Sequence, residues 1–203
     1  MRLVADNSKD AAREIARLYD VRLSFDALSG LTALLQPTKF RHRTFIQEVG
    51  ERTNSLAFVA KGLIRQYKPD EELDIVEDIC HEGEMLICTE SLISQQPSEL
   101  SIQTLEPTIL YEMDYQELKE LANKLPEIHE LLCKMLEGCI IKQAVRQHRM
   151  DKHPMERYLD LLHEDSEIVR RTPLRYVASY LRMAPETLSR VRNKINRNEN
   201  SNS

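Results

Sequence analysis

No stretch of this 203-residue chain approaches the roughly 20 consecutive apolar residues that a membrane-spanning helix needs. Arg13, Glu14 and Arg17 interrupt any apolar run near the N-terminus, so a secretory leader is not expected either. Cysteine is scarce: Cys80, Cys88, Cys133 and Cys139 form no CxxC pair and stand at no metal-ligand spacing. That argues against a disulfide framework or zinc site and for reduced thiols in a cytoplasmic protein. There is no HxH, no HExxH, no Gly-rich phosphate loop and no GxSxG elbow. The signatures of zinc proteases, P-loop nucleotidases and α/β-hydrolases are therefore missing. No catalytic residue and no metal ligand is expected, and the chain reads as something other than an enzyme.

Positive charge is also in short supply overall, and its distribution is uneven. The formal net charge is −5, which on its own disfavours a nucleic-acid partner. Residues 1–141 hold 15 Lys and Arg against 25 Asp and Glu, whereas residues 142–203 hold 13 against 8. Between Ile168 and Arg197 there are eight basic residues and one acid, Glu186. A basic terminal segment on an acidic body is the electrostatic footprint of a DNA-binding unit joined to something else.

Apolar content of 41% is globular, and the periodicity divides the chain into three parts. Residues 10–35 read as two helices, the second carrying Phe25, Leu28, Leu31, Leu34 and Leu35 and ended by Pro37. From Phe40 to Met113 the apolar residues fall in short strand-like runs. Turn signals separate them at Gly50, Gly62, Pro69-Asp70, Gly83, Pro97-Ser98 and Pro107, as in an antiparallel sandwich or barrel. Asp114–Leu125 is helical again, and Pro126 opens a longer helix with an apolar stripe at Ile128, Leu131, Leu132, Met135, Leu136, Cys139 and Ile140. The stripe is wider than one narrow seam, and Gly138 in the helix interior suggests close approach of another backbone. Ile128, Leu131, Leu132, Met135, Gly138 and Cys139 are accordingly the expected homodimer interface, with burial in a monomeric core as the alternative.

His153-Pro154 reads as a hinge, followed by an amphipathic helix through Met155, Tyr158, Leu159 and Leu162. The segment Thr172–Ile195 then reads as helix, turn and helix. Thr172 is the expected N-cap and Pro173 the first helical residue. Leu174, Val177, Ala178 and Leu181 recur at helical spacing, Arg182, Met183 and Ala184 fill the turn, and Pro185 opens the second helix. Leu188 and Val191 point back to the first helix. Glu186, Thr187, Ser189, Arg190, Asn193 and Lys194 are left outside, a hydrogen-bonding face suited to a major groove. Asn196–Ser203 is polar and expected to be disordered.

The order of barrel, long helix and helix-turn-helix resembles the Crp/Fnr superfamily of bacterial transcription regulators. YVASYLRMAPETLSRVRNKI (Tyr176–Ile195) is close to that family's turn and recognition helix, and FIQEVGERTNSLAFVAKGLIRQY (Phe45–Tyr67) resembles its Gly-turn strands. Gly83-Glu84 through Pro97 looks like the segment that carries the phosphate-binding cassette. The resemblance implies an α+β fold with an N-terminal antiparallel β-barrel of jelly-roll type and flanking helices. It divides the chain into a cyclic-nucleotide-binding-like sensor (1–125), a dimerisation helix (126–151) and a helix-turn-helix unit with its tail (152–203). It gives Glu186 and Arg190 the base-reading positions, supported by Thr187 and Ser189, and makes Arg171, Arg175 and Lys194 candidates for phosphate contacts. Double-stranded DNA and a second copy of the chain are the implied partners, with RNA polymerase and an unidentified small effector as further candidates.

Departures from the family pattern bear on the signal. After Pro97 come Ser98, Glu99, Leu100 and Ser101, so a carboxylate stands where a phosphate-binding Arg is usual. Gly83, Glu84, Glu90, Ser98 and Glu99 are thus read as a degenerate pocket and not a conventional cyclic-nucleotide site. Residues 1–79 lack the cysteines of an iron–sulfur member. The cofactor is unknown, and haem on His42, His81, Cys80 or Cys88 stays open. The Asn-rich stretch after Ile195 shows no strand pattern, so the family's β-hairpin wing is not expected here, and Arg182 occupies the turn position where Gly is usual. Two other classes remain as alternatives: an effector-independent or protein-interaction regulator with weak DNA binding, and a cupin-like metal enzyme.

Overall fold

The computed structural model describes residues 7–201, the side chains of 196 and 198–201 excepted. Two helices, α1 (Ser8–Leu18) and α2 (Phe25–Leu34), lead into eight strands. These are β1 (Gln36–Phe40), β2 (Phe45–Gln47), β3 (Ser55–Lys61), β4 (Leu63–Lys68), β5 (Ile75–His81), β6 (Met85–Leu86), β7 (Ser101–Thr104) and β8 (Thr108–Asp114), with α3 (Thr89–Ser94) between β6 and β7. Then follow α4 (Tyr115–Ala122), α5 (Pro126–Met150), α6 (Pro154–Glu164), α7 (Ser166–Arg171), α8 (Leu174–Tyr180) and α9 (Pro185–Ser201). The strands form two antiparallel four-stranded sheets, ordered β1-β8-β3-β6 and β2-β7-β4-β5. This is the α+β, jelly-roll-type architecture expected, with helices at both ends of the chain.

The inner strands β3 and β4 are packed on both faces, which explains their nearly continuous apolar runs. β3 is buried at every position from Leu56 to Ala60, and β4 from Leu63 to Tyr67. Ala57, Val59, Ile64, Cys80, Ile102 and Leu110 fill the space between the sheets. Leu56, Phe58, Ala60, Tyr111 and Met113 face outward into a second core made with α1, α2, α4 and the first half of α5. Leu63, Tyr67, Val76, Ile79 and Leu105 face outward on the other sheet into a third core, completed by α6 to α9. Each fully buried Leu, Ile, Val or Phe side chain contributes about 1.5–3 kcal/mol of transfer free energy. The β2-β7-β4-β5 sheet and the C-terminal helices therefore share one apolar core. Gly62 makes the β3–β4 link possible: its φ is +114°, and a Cβ there would lie 2.3 Å from Thr108 Oγ1. Pro37 does not merely stop α2; it sits in β1, an edge strand where a missing N–H is tolerated.

Three local expectations are corrected. Thr172 does not cap α8. It closes α7, its N–H donating to the Ile168 carbonyl at 3.0 Å, while its Oγ1 is buried without a hydrogen-bond partner among the described residues. The first turn of α8 instead rests on the carbonyl of Pro173, so Pro173 is N-cap and not the first helical residue. Finally, α9 continues to Ser201 where a disordered tail is expected from Asn196; residues 202–203 lie outside the described residues. Adding residues to an existing helix avoids the unfavourable nucleation step, which lets a polar segment continue it.

Candidate nucleic-acid interface and sensor cavity

The α8–α9 pair is held by Val177, Ala178 and Leu181 of the first helix against Leu188 and Val191 of the second, all within the third core. Between them Arg182 adopts φ +52°. The Met183 N–H donates to the Ala178 carbonyl at 3.0 Å and the Arg182 N–H to Ser179 at 2.9 Å, the pairing of a left-handed helix stop usually made by Gly. A non-glycine residue there costs about 1–2 kcal/mol. Offsetting contacts come from Arg157, whose Nη1 donates to the carbonyls of Leu181 (3.1 Å) and Arg182 (3.2 Å), and from an Arg182–Glu77 ion pair to β5.

On the outer face of α9, Glu186, Ser189, Arg190, Asn193 and Lys194 are exposed and Thr187 is partly so. Glu186, Arg190 and Lys194 make no hydrogen bond or ion pair with the described residues. Arg175 is exposed at the start of α8 and stacks on the Tyr176 ring, 4.6 Å from its centroid. Arg171 is different. Its side chain is only 8% exposed and makes fork-like bonds to Glu82 (2.6 and 3.1 Å) in the turn after β5 and Glu106 (2.6 and 3.1 Å) in the turn before β8. Hydrogen bonds from Glu106 and Glu82 hold its pKa above the ordinary arginine range, against the effect of burial. Burial pushes the Glu82 carboxyl up, but Arg171 and the Gly62 N–H outweigh it and hold it below the usual range. Arg171 is thus committed within the molecule and does not present itself to a phosphate.

Arg171 belongs to a wider seam between the β-barrel and the C-terminal helices. Ser179 Oγ donates to the Asp74 carbonyl (2.6 Å) and accepts from the Val76 N–H (2.9 Å), tying α8 to the edge strand β5. Arg65 lies between the rings of Tyr67 and Tyr176, 3.7 and 4.0 Å from their centroids, and pairs with Asp74 at 2.7 Å. Glu77 receives Arg146 from α5 at 2.5 Å as well as Arg182. His81 Nε2 lies 2.8 Å from Asp165 Oδ2. The hydrogen bond to Asp165 raises the His81 pKa to about 9 despite partial burial.

A cavity of about 320 Å³ opens between the barrel and α5. Met85, Ile87, Cys88 and Leu100 make an apolar floor, and Glu90 and Glu99 of the expected pocket set line it. Glu99 is paired with Lys68 of β4 at 2.6 Å. The other three members do not line it. Ser98 is 5% exposed and bonds the backbone of Leu100, while Gly83 and Glu84 border a neighbouring recess with Tyr19 and Cys139. Three cations that the residues after Pro97 could not reveal also line the cavity: Lys68, Lys142 and Arg146. Each has a carboxylate partner, Lys142 at Asp78 (3.0 Å) and Arg146 at Glu77 (2.5 Å). The signal available in the sequence was the i, i+4 spacing of Lys142 and Arg146 on one face of the long helix.

The expected dimer residues face the wrong way. Ile128, Leu131 and Met135 are 0% exposed and Leu132 8%, all inside the core formed with α1, α2 and α4. Gly138 accommodates the chain's own Tyr19, since a Cβ would lie 3.3 Å from its ring, and Cys139 packs against the same core. The apolar residues α5 leaves uncovered are Ile140 (64% exposed), Ile141 (63%) and Val145 (46%).

Residues 37–124 match the cyclic nucleotide-binding domain family. FixK2 from Bradyrhizobium japonicum superposes with a TM-score of 0.70 at 18% identity, covering 81% of this chain and 86% of that one. The c-di-GMP-responsive global regulator CLP of Xanthomonas campestris gives 0.66 at 17%, covering 85% and 91%. A CooA mutant from Carboxydothermus hydrogenoformans gives 0.63 at 15%, covering 97% and 87%. No curated protein matches the sequence. At such identities the likeness is one of fold: a Crp/Fnr-type arrangement that includes a cyclic nucleotide-binding domain.

Proposed function

We propose that this chain of Crp/Fnr-type fold is a dimeric, sequence-specific DNA-binding transcription regulator, with a barrel that responds to a signal other than a cyclic nucleotide. The observation that carries the reading is the outward face of α9. Glu186 and Arg190 stand one turn apart there, about 6 Å along the axis, exposed and without partners among the described residues, on a helix anchored by a packed turn. Arg190 is chemically suited to a guanine edge and Glu186 to a cytosine amino group. Lys194 and Arg175, both exposed, supply phosphate contacts. Arg171 is withdrawn from that role because the sensor holds it.

The dimer is assigned to α5, on the face bearing Ile140, Ile141 and Val145 in place of the buried stripe. Glu99 with its Lys68 partner fills the approach where a cyclic phosphate needs an unpaired cation, so neither cAMP nor cGMP should bind tightly; a calorimetric titration with micromolar affinity would refute this. A non-enzymatic role in the cytoplasm, RNA polymerase as a partner and a small effector in the 320 Å³ cavity complete the reading.

The direct test is selection of DNA from a random pool by the purified full chain. An enriched palindrome with half-sites centred roughly 34–36 Å apart is expected, and its binding should weaken steeply with salt. Failure to enrich any sequence, with binding equal on all DNAs, would overturn the reading in favour of a protein-interaction module.

A further inference from the structure

We infer that His81, Glu84 and Asp165 form a binding site for a divalent first-row transition ion that bridges the sensor to the helix-turn-helix unit. One ligand atom from each of the three lies within 4.8 Å of the others. His81 ends β5, Glu84 follows in the turn to β6, and Asp165 is the N-cap of α7, 84 residues further along. Gly83, at φ +88°, turns the chain so that His81 and Glu84 point to the same side. His81 Nε2 and Asp165 Oδ2 are already 2.8 Å apart, close to the ligand–ligand spacing around an ion bound at about 2.0–2.2 Å.

The surroundings support ligation as well as the three donors do. His81 Nδ1 lies 3.1 Å from the Glu82 carbonyl, an acceptor for its N–H that leaves Nε2 as the donor to a metal. Asp165 Oδ1 accepts the Ile168 N–H at 3.2 Å, which fixes the carboxylate while Oδ2 faces the site. Glu84 Oε2 accepts the His81 N–H at 2.8 Å and Oε1 meets Lys142 at 3.3 Å, so that side chain too is held in place. One imidazole and two carboxylates suit zinc, cobalt, manganese or ferrous iron better than magnesium or cuprous copper. The ion takes the place of the Nε2 proton that bridges to Asp165, and that proton leaves to solvent. Two carboxylates then offset the divalent charge, and water completes the coordination.

The consequence is mechanical. Two ligands belong to the β5–β6 hairpin and the third to the start of α7, so an occupied site strengthens the His81–Asp165 link, one of several that tie the C-terminal helices to the sheet. Regulation of DNA binding by this tie rests on the reading above. The ion site does not, and its test contains no DNA.

The probe is Co²⁺, then Zn²⁺ in competition, added to the full chain after chelator treatment. A Cys133→Ser background removes the exposed Cys133–His129 pair, 3.8 Å apart, as a competing thiolate site. One equivalent of Co²⁺ should bind with visible d–d absorption and no sulfur charge-transfer band. Zn²⁺ should displace it, and binding should slow proteolysis at residues 151–153. His81→Gln should abolish saturable binding, and Asp165→Asn, which keeps a good N-cap, should weaken it at least about tenfold. Glu84→Gln provides a third variant in a turn if either of the others folds poorly. Absence of saturable binding, a sulfur band, or unchanged affinity in the folded variants would each overturn the site.

Discussion

Arg171→Met separates two roles for one residue by a magnitude. In the structure its side chain is 8% exposed and its guanidinium makes four bonds of 2.6–3.1 Å to Glu82 and Glu106. Glu82 is 10% exposed and Glu106 28%. Methionine keeps much of the apolar stem but leaves Glu82, 10% exposed, without its guanidinium partner and with backbone N–H donors such as that of Gly62 at 2.8 Å. Removing one partner of a buried pair costs about 3–5 kcal/mol. The exposure of Glu106 lets water rescue that carboxylate, so about 3 kcal/mol is the expected loss. Urea unfolding should show it as a lower midpoint, while Glu106→Gln should cost about 1 kcal/mol. The second assay is the salt dependence of DNA binding. A phosphate contact contributes about one unit to the log–log slope, and Arg171→Met should leave that slope unchanged. Unchanged urea stability together with a slope reduced by about one unit would refute the internal role and restore Arg171 to the DNA interface.

Further expectations follow from the same geometry. Ile140→Glu with Ile141→Glu should give a folded monomer by sedimentation, whereas Met135→Glu, at a fully buried site, should cost at least about 3 kcal/mol and unfold much of the chain. Arg190→Ala should lose ~1–3 kcal/mol on the selected operator and little on random DNA, while Arg175→Ala should weaken both and lower the salt slope by about one; paired isotherms over a salt range decide it. Burial pushes the Glu77 carboxyl up, but Arg146 and Arg182 prevail and hold it below the ordinary range. Its contribution is therefore present above the ordinary carboxylate pKa and lost as pH falls through the lower folded value. Glu77→Gln should flatten that acid limb of thermal stability, and an unaltered limb would show that the two arginines do not set it.

Features that depend on neighbours a few residues apart can be read along the chain. The α8–turn–α9 segment was legible because Val177, Ala178, Leu181, Leu188 and Val191 follow a helical period and Pro185 marks a start. Glu186 and Arg190 share a face for the same reason. The strands were legible as short apolar runs between turn residues. Tertiary structure decided everything that depends on which apolar or charged face is covered. The stripe on α5 is wide enough to pack in two directions, and only the placement of α1, α2 and α4 shows that Ile128 to Met135 lie inside, leaving Ile140 and Ile141 outside. Arg171 is visibly basic, but its partners stand 65 and 89 residues earlier, and Lys68 reaches Glu99 across 31. Thr172 looked like a cap until α7 took it as its end. His81, Glu84 and Asp165 form no local motif, because a site built between two units takes its ligands from wherever the fold brings the chain together. Local periodicity encodes helices and strands; charge pairing across a seam is set by a register that no short window contains.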